Sequence, residues 1–192
     1  HYLTSERFLD QNLKQYPEYT HGGNGEHHYA DVEAIRVKHS FPCGLKLLLS
    51  ECWERYHIPI AVTEVHLNGS SDDQIRWLKE VWDISRELLQ EKIPIKSVTT
   101  WSLIGAYGWN NLLTMPHGHY EPGPFTVHSG AIEETELALF IRALSKNPDH
   151  HHPALQQTGW WKLESRCLYD HAEECSPLEL PEDRLMPKKI VS

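Results

Sequence analysis

The 192-residue sequence predicts an α/β fold built from consecutive parallel β/α units. The main observation is a near repeat in which a helical pattern leads to Ile-Pro-Ile and then to a β-rich run, first at Ile58 and again at Ile93. The first run is continuous rather than alternating in its apolar residues, which is typical of a fully buried parallel strand, and the second is predicted to be a second buried strand. Their spacing of about 35 residues is too long for a hairpin and fits one crossover through a helix.

The helical stretches of this repeat carry apolar residues at helical spacing. The first helix is expected to start near Pro42, and its inward face begins at Leu45. The second is expected to open at Ser71, whose hydroxyl has the spacing of a helix cap. The residues predicted on its inward face are Ile75, Leu78, Trp82, Ser85 and Leu89.

The flanking segments complete about three β/α units. Before the repeat, we expect a strand end at residues 1–5, a helix-prone stretch at 6–16 and a long polar loop at 20–31. After the repeat, we expect a Pro/Gly/His loop at residues 115–125 and a helix at 133–145.

Composition excludes several classes of function. The net charge of -9 argues against a duplex nucleic-acid binder, because such proteins need Lys and Arg to replace counterions along the phosphates. The longest apolar stretches, such as residues 58–62, are too short to cross a membrane. The four cysteines are scattered without a C-x-x-C pair, so we expect reduced thiols and a cytoplasmic protein.

Tryptophan and histidine are unusually frequent, with seven and fourteen residues. A surplus of Trp favours a sugar site, because the flat indole matches the apolar face of a pyranose ring, although a single Trp is more often a core residue. The histidine clusters at 27–28, 117–119 and 150–152 lie among loop-forming residues and lack a helical H-x-x-x-H or a Cys partner. We therefore interpret them as solvated loop histidines and keep a His-rich metal protein as the third functional alternative.

Glu64 is the strongest candidate for catalysis. It stands near the end of the first predicted strand, where enzymes built of β/α units place their active sites, and Trp101 has the same position on the next strand. A carboxylate at the end of a buried strand is costly unless it is paired or functional. Glu64 is thus either a catalytic or ligand-binding group or one half of a salt bridge to a neighbouring Arg.

Three motifs, in order along the chain, resemble those of family 1 glycoside hydrolases. The run Ile60-Ala-Val-Thr-Glu-Val-His is similar to the family's I-T-E-N-G strand, whose Glu is the nucleophile. The run Trp101-Ser-Leu-Ile-Gly-Ala-Tyr-Gly-Trp109 resembles W-S-L-x-D-N-F-E-W on the next strand. The opening His1-Tyr-Leu-Thr-Ser is similar to N-Y-Y-T-S on the strand before. The sequence most resembles a divergent bacterial branch in which the barrel is sometimes joined to a dehydrorhamnose-type sugar-nucleotide reductase.

This resemblance implies the C-terminal part of a (β/α)8 TIM barrel, about strands six to eight. Three units cannot close such a barrel, so the N-terminal part of the barrel is an expected partner, and a smaller open sheet is the alternative. Residues 1–146 would form the partial barrel that carries the nucleophile strand, and residues 147–192 an irregular tail or linker. A fused reductase domain is a further expected partner.

The resemblance also implies roles for individual residues. Glu64 would be the nucleophile of a retaining glycosidase, and Tyr2 would hydrogen-bond to it. Trp101 would form the platform beneath the sugar, and Trp109 would donate its indole N–H to a sugar hydroxyl. His66 stands where the family has Gly and is placed among the substrate-binding residues. No metal or organic cofactor is expected.

The sequence departs from the family pattern at several positions. Gly108 replaces a Glu that binds outer sugar hydroxyls, and Gly105-Ala106 replaces Asp-Asn. The family's acid/base Glu lies in an N-E-P motif, which does not occur here, although a retaining hydrolase needs a second carboxyl about 5 Å from the first. We therefore expect a glycosidase that is completed by residues outside this chain and inactive as the isolated segment. The alternative is a sugar-binding or accessory barrel remnant associated with the reductase.

Overall fold

The computed structural model describes residues 5–9, 13–38, 44–109, 118–128 and 130–169. These residues fall into two compact units. The first unit contains described residues between 5 and 38 together with 167–169, and the second contains those between 44 and 166. This division does not test the predicted boundary at residue 146, which stays a prediction.

A three-stranded antiparallel sheet forms the first unit. Its strands β1 (Ser5–Leu9), β2 (His21–Gly23) and β3 (His28–Glu33) lie in the order β1-β3-β2. The predictions of a helix-prone stretch and a polar loop are therefore wrong over these residues. Backbone pairing with β3, five residue pairs from β1 and three from β2, determines the structure here instead of local propensity.

A small core supports this sheet. Ala30 and Val32 lie on the same side of β3, because they are two residues apart in an extended strand, and they pack with Tyr16 and Val37. The ring of Tyr169 lies 5.3 Å from that of Tyr16. Burial, with the nearby Tyr169 as a second cause, raises the pKa of the Tyr16 phenol.

Two parallel strands joined by a helix form the centre of the second unit. Helix α1 (Leu45–Tyr56) precedes β4 (Ile60–Val65), and helix α2 (Ser71–Gln90) connects β4 to β5 (Ile95–Thr100). The two strands pair in parallel. The predicted order of helices and strands and the parallel pairing of the two Ile-Pro-Ile runs are confirmed.

The cap residue of helix α2 and its set of buried residues differ slightly from the prediction. Ser70, one residue before the predicted cap, accepts a hydrogen bond from the backbone N–H of Asp73 at 3.2 Å. Leu89, predicted to face inward, is exposed, whereas the adjacent Leu88 is buried. The buried residues of α2 are Gln74, Ile75, Trp77, Leu78, Val81, Ser85 and Leu88.

The strands β4 and β5 are not buried on both faces, contrary to the prediction. Ala61, Thr63 and Glu64 are exposed, whereas Val65 and Ile95 are buried. Among the described residues this sheet has two strands, and exposed residues occur on both faces of β4. The described chain is a mixed α/β fold with small sheets and without a closed barrel.

Two short antiparallel pairs follow the parallel strands. Strand β6 (Ala106–Tyr107) pairs with β7 (Tyr120–Glu121), and β8 (Phe125–His128) pairs with β9 (Ala131–Glu134). The prediction of a loop at residues 115–125 is therefore wrong over Tyr120–Glu121 and at Phe125. Strands of two to four residues leave no period in a sequence that could reveal them.

Helix α3 (Glu136–Lys146) confirms the predicted C-terminal helix from Glu136 onward, with Leu137, Phe140 and Leu144 buried. Residues 133–134, predicted to open this helix, belong to β9 instead. None of the helices in the described ranges is long and apolar enough to cross a membrane. Short 3-10 turns follow α3 at Pro153–Gln156, Trp160–Lys162 and Glu164–Arg166.

Replacing Ser70 with Ala should lower the free energy of unfolding by about 1 kcal/mol, because the variant lacks the acceptor for the Asp73 N–H at the start of α2. Ser71→Ala is the matched control and should change it by less than about 0.5 kcal/mol. Urea denaturation followed by circular dichroism measures both values. Equal losses in the two variants would contradict the assignment of the cap to Ser70.

Candidate functional site

A hydrogen bond beyond the ends of β4 and β5 sets the centre of the candidate site. The backbone N–H of Trp101, the residue after β5, donates to the carbonyl of Val65 at 3.0 Å. Val65 is the last residue of β4, with Glu64 before it and His66 after it. Since parallel strands end at the same edge of a sheet, the backbone of Trp101 lies beside this segment.

Alternation along the end of β4 separates the core from the site. Val65 and Leu67 are buried, whereas Glu64 is exposed and His66 is partly exposed. Successive side chains of an extended segment point to opposite faces. Glu64 and His66 therefore share the face that is turned away from the helical core.

Three aromatic rings lie in a row at this edge. The rings of His66 and Trp101 meet edge to face with centroids 5.2 Å apart, and those of Trp101 and Trp109 lie 5.0 Å apart at 42°. Trp109 is 39% exposed. The structure thus brings together the three residues predicted to bind substrate, with indole surface left open to solvent.

The roles predicted for the site residues stay predictions. Glu64 lies near the carboxyl end of a parallel strand and is exposed, as a carboxylate that must reach a substrate needs to be. Tyr2, predicted to hydrogen-bond to Glu64, lies outside the described residues.

The carboxylate of Glu121 joins His66, Trp101 and Trp109 to form one cluster. No sequence pattern indicates this residue. Glu121, the last residue of β7, is 2% exposed, and its Oε2 accepts a hydrogen bond from Nε2 of His66 at 2.6 Å. Its Oε1 lies 3.8 Å from Nε2 of His119, which in turn is 3.3 Å from Nδ2 of Asn68. His119, predicted to be a solvated loop histidine, is half-exposed and lies at the rim of this cluster.

Glycines allow the segment after β5 to pack directly against the segment that carries Glu121. A Cβ added at Gly123 would lie 1.7 Å from the carbonyl oxygen of Ser102. One added at Gly105, whose φ is +81°, would lie 2.4 Å from the carbonyl oxygen of Glu121. Neither position has room for a side chain, so these two glycines permit the close contact of the two backbones.

Gln74 of α2 joins the two segments that carry His66 and Glu121. Its Nε2 donates to the carbonyl of Leu67 at 3.2 Å and to that of Pro122 at 2.8 Å. Leu67 follows His66, and Pro122 follows Glu121. One buried amide therefore fixes the backbone beside both members of the pair.

The site combines carboxylates with aromatic side chains. Within the described ranges, no three His, Cys, Asp or Glu side chains have an arrangement that could hold a metal ion. The cluster offers an exposed carboxylate, open indole surface and a partly exposed, hydrogen-bonded imidazole. Such groups are suited to a neutral polyhydroxylated ring, which has apolar C–H faces and hydroxyls that need directional partners.

Comparison with known proteins shows a distant structural similarity. No family model and no curated protein matches the chain. Among solved structures, the chain is similar to the β-glycosidase from the hyperthermophile Thermosphaera aggregans, with a TM-score of 0.46 and 24% sequence identity. The match covers 58% of this chain and 22% of that β-glycosidase, so the chain spans less than a quarter of its length.

Replacing Gly123 with Ala should destabilise the site, because the added methyl would overlap the carbonyl oxygen of Ser102. We expect the free energy of unfolding to fall by about 2–3 kcal/mol. Gly69→Ala is the matched control, since its Cβ would lie 3.4 Å from the nearest atom, and it should cost less than about 1 kcal/mol. Denaturant titration compares the two, and a tolerated Gly123→Ala would contradict the close packing described here.

Proposed function

We propose that this chain is the nucleophile-bearing part of a retaining, β-glycosidase-like hydrolase, with Glu64 as the nucleophile. The observation that carries the proposal is the exposed carboxylate of Glu64 near the end of a parallel strand, on the face that also bears His66 beside Trp101 and Trp109. Enzymes built from parallel β/α units form their active sites where the strands end.

In the proposed reaction, Glu64 attacks the anomeric carbon while an acid/base residue protonates the departing glycosidic oxygen. The same residue then deprotonates a water molecule, which attacks the glycosyl-enzyme ester and regenerates Glu64. Trp101 supports the sugar ring, the indole N–H of Trp109 donates to a hydroxyl, and His66 adds a polar contact. Tyr2 donates a hydrogen bond to Glu64, and the reaction uses no metal or organic cofactor.

We propose that the acid/base comes from residues outside this chain. A retaining mechanism needs a second carboxyl about 5 Å from the nucleophile. Glu121 does not suit this role, because it is 2% exposed and its Oε2 already accepts a hydrogen bond from His66. A glycosidic oxygen cannot reach a carboxylate buried in this way.

The partner that this proposal requires is the N-terminal part of a (β/α)8 barrel. The exposed residues Ala61 and Thr63 of β4 leave a sheet surface that further strands and their side chains would cover in such a barrel. In this proposal residues 1–146 contribute about strands six to eight, and residues 147–192 form a tail or linker. A fused sugar-nucleotide reductase domain and a cytoplasmic location belong to the same proposal.

A second function, sugar binding without hydrolysis, is favoured by Gly108. This residue is buried and has a φ of +63°, a left-handed conformation that favours glycine. In the family that the sequence resembles, a Glu at this position binds outer sugar hydroxyls. The loss of such a contact is expected in a barrel remnant that is retained for binding or as an accessory to a reductase.

In the full-length protein, Glu64→Gln should lower kcat/KM for aryl glycosides by at least about 10³-fold, because the covalent step is lost while the binding contacts remain. The dissociation constant for the glycoside should change by less than about tenfold. Glu51→Gln, at an exposed carboxylate paired with Arg55, is the control and should leave both values unchanged. Equal activity of Glu64→Gln and the parent would contradict the assignment of the nucleophile, and a parent that binds sugar without turnover would favour the binding module.

The isolated 192-residue chain should not hydrolyse natural glycosides, since without a proton donor an unactivated leaving group departs slowly. Activity should appear when the N-terminal part is supplied in the same chain or as a complementing fragment. Hydrolysis of a panel of aryl and natural glycosides by the chain, the full-length protein and the mixed parts measures this. Glu64-dependent turnover by the monomeric chain alone would contradict the partial-barrel proposal.

A further inference from the structure

We propose that Glu121 is a positioning residue of the sugar site, whose buried carboxylate holds the imidazole of His66 and, through it, the ring of Trp101. The inference rests on the proposed function, because the ligand of these rings is the sugar assigned there. Glu121 belongs to none of the three motifs that resemble the family, and it has no role of its own in the proposed reaction.

Glu121 is a buried carboxylate with a hydrogen-bond partner. A carboxylate with 2% exposure is costly unless it is paired and hydrogen-bonded. Two imidazoles lie near it, but Nε2 of His119 at 3.8 Å is beyond hydrogen-bond distance, whereas Nε2 of His66 at 2.6 Å is within it. The strong interaction of Glu121 is therefore with His66.

This hydrogen bond fixes the imidazole that contacts the platform. With Nε2 donating to Glu121, the ring plane of His66 is set, and Nδ1 is the ring nitrogen that remains for another partner. The His66 ring meets Trp101 at 73°, and Trp101 contacts Trp109. A continuous series of contacts thus links the buried carboxylate to the open indole surface.

The segment that carries Glu121 is itself held in place. Gln74 bonds the carbonyls beside both His66 and Glu121, and the backbone N–H of Gly108 donates to the carbonyl of His119 at 2.8 Å. Buried ion pairs contribute little net stability compared with apolar packing. The placement of this pair against Trp101 therefore indicates a role in preorganising the site, which requires side chains held by a second layer of contacts.

The test is a double-mutant cycle in the full-length protein, read from KM and kcat on aryl glycosides. Glu121→Gln keeps the side-chain shape but replaces a charge-assisted hydrogen bond with a neutral one, and we expect KM to rise about tenfold while kcat changes less than about threefold. His66→Ala should raise KM by at least this factor, because it also removes the polar contact that His66 makes to the sugar. In the His66→Ala background, Glu121→Gln should raise KM no further, because no imidazole remains to be held.

Glu80→Gln is the matched control. Glu80 is a partly buried carboxylate outside the cluster that accepts a hydrogen bond from the indole N–H of Trp161 at 2.9 Å and pairs with Lys162. Its variant should leave KM unchanged. Should Glu121→Gln fail to fold, Glu121→Asp takes its place with the same expectation, because the shorter side chain withdraws the carboxylate from His66.

The outcomes separate this inference from the proposed function. An unchanged KM in Glu121→Gln, full additivity with His66→Ala, or an equal rise in Glu80→Gln would overturn the positioning role while Glu64-dependent turnover, and with it the proposed function, stands. A parent without Glu64-dependent turnover would contradict the proposed function, and the positioning role would fall with it.

Discussion

The parallel hydrogen bonding between β4 and β5 is the constraint on which the candidate site depends. It brings the ends of both strands to one edge, and the bond from Trp101 to the carbonyl of Val65 extends the pairing beyond them. At the end of β4, alternation then sends Val65 into the core and leaves Glu64 exposed. The connecting helix α2 is tied to the same edge through Gln74. Backbone pairing thus fixes where the functional groups stand.

The parts that could be predicted from sequence are those encoded over long, regular stretches. Two Ile-Pro-Ile runs separated by a helix have few arrangements other than a parallel crossover, and the structure has that arrangement. The predicted burial of both faces was wrong, because a continuous apolar run shows which residues are hydrophobic and not which elements will cover them. In the described residues this sheet has two strands, and Thr63 and Glu64 of β4 are exposed.

The buried half of the site could not be predicted, because its contacts join residues far apart in the chain. His66 and Glu121 are 55 positions apart, and Glu121 lies in a two-residue strand that has no period. The role of Gln74 is hidden for the same reason, since a buried polar residue on a helix face does not reveal which carbonyls it will bind. Sequence therefore indicated the exposed members at the strand ends, and the structure adds the groups that support them.

Mass spectrometry of a trapped intermediate tests most directly whether Glu64 forms the covalent bond to the sugar that we propose. The full-length protein would be reacted with an aryl glycoside that carries fluorine beside the anomeric carbon and a good leaving group. The fluorine destabilises the oxocarbenium-like transition states of both steps, and the leaving group preserves the first, so the glycosyl-enzyme accumulates. We predict a mass increase of one fluoroglycosyl residue on the peptide that contains Glu64, and none in Glu64→Gln. Labelling of a different peptide, or no labelling of a protein that hydrolyses the unfluorinated glycoside, would contradict the proposal.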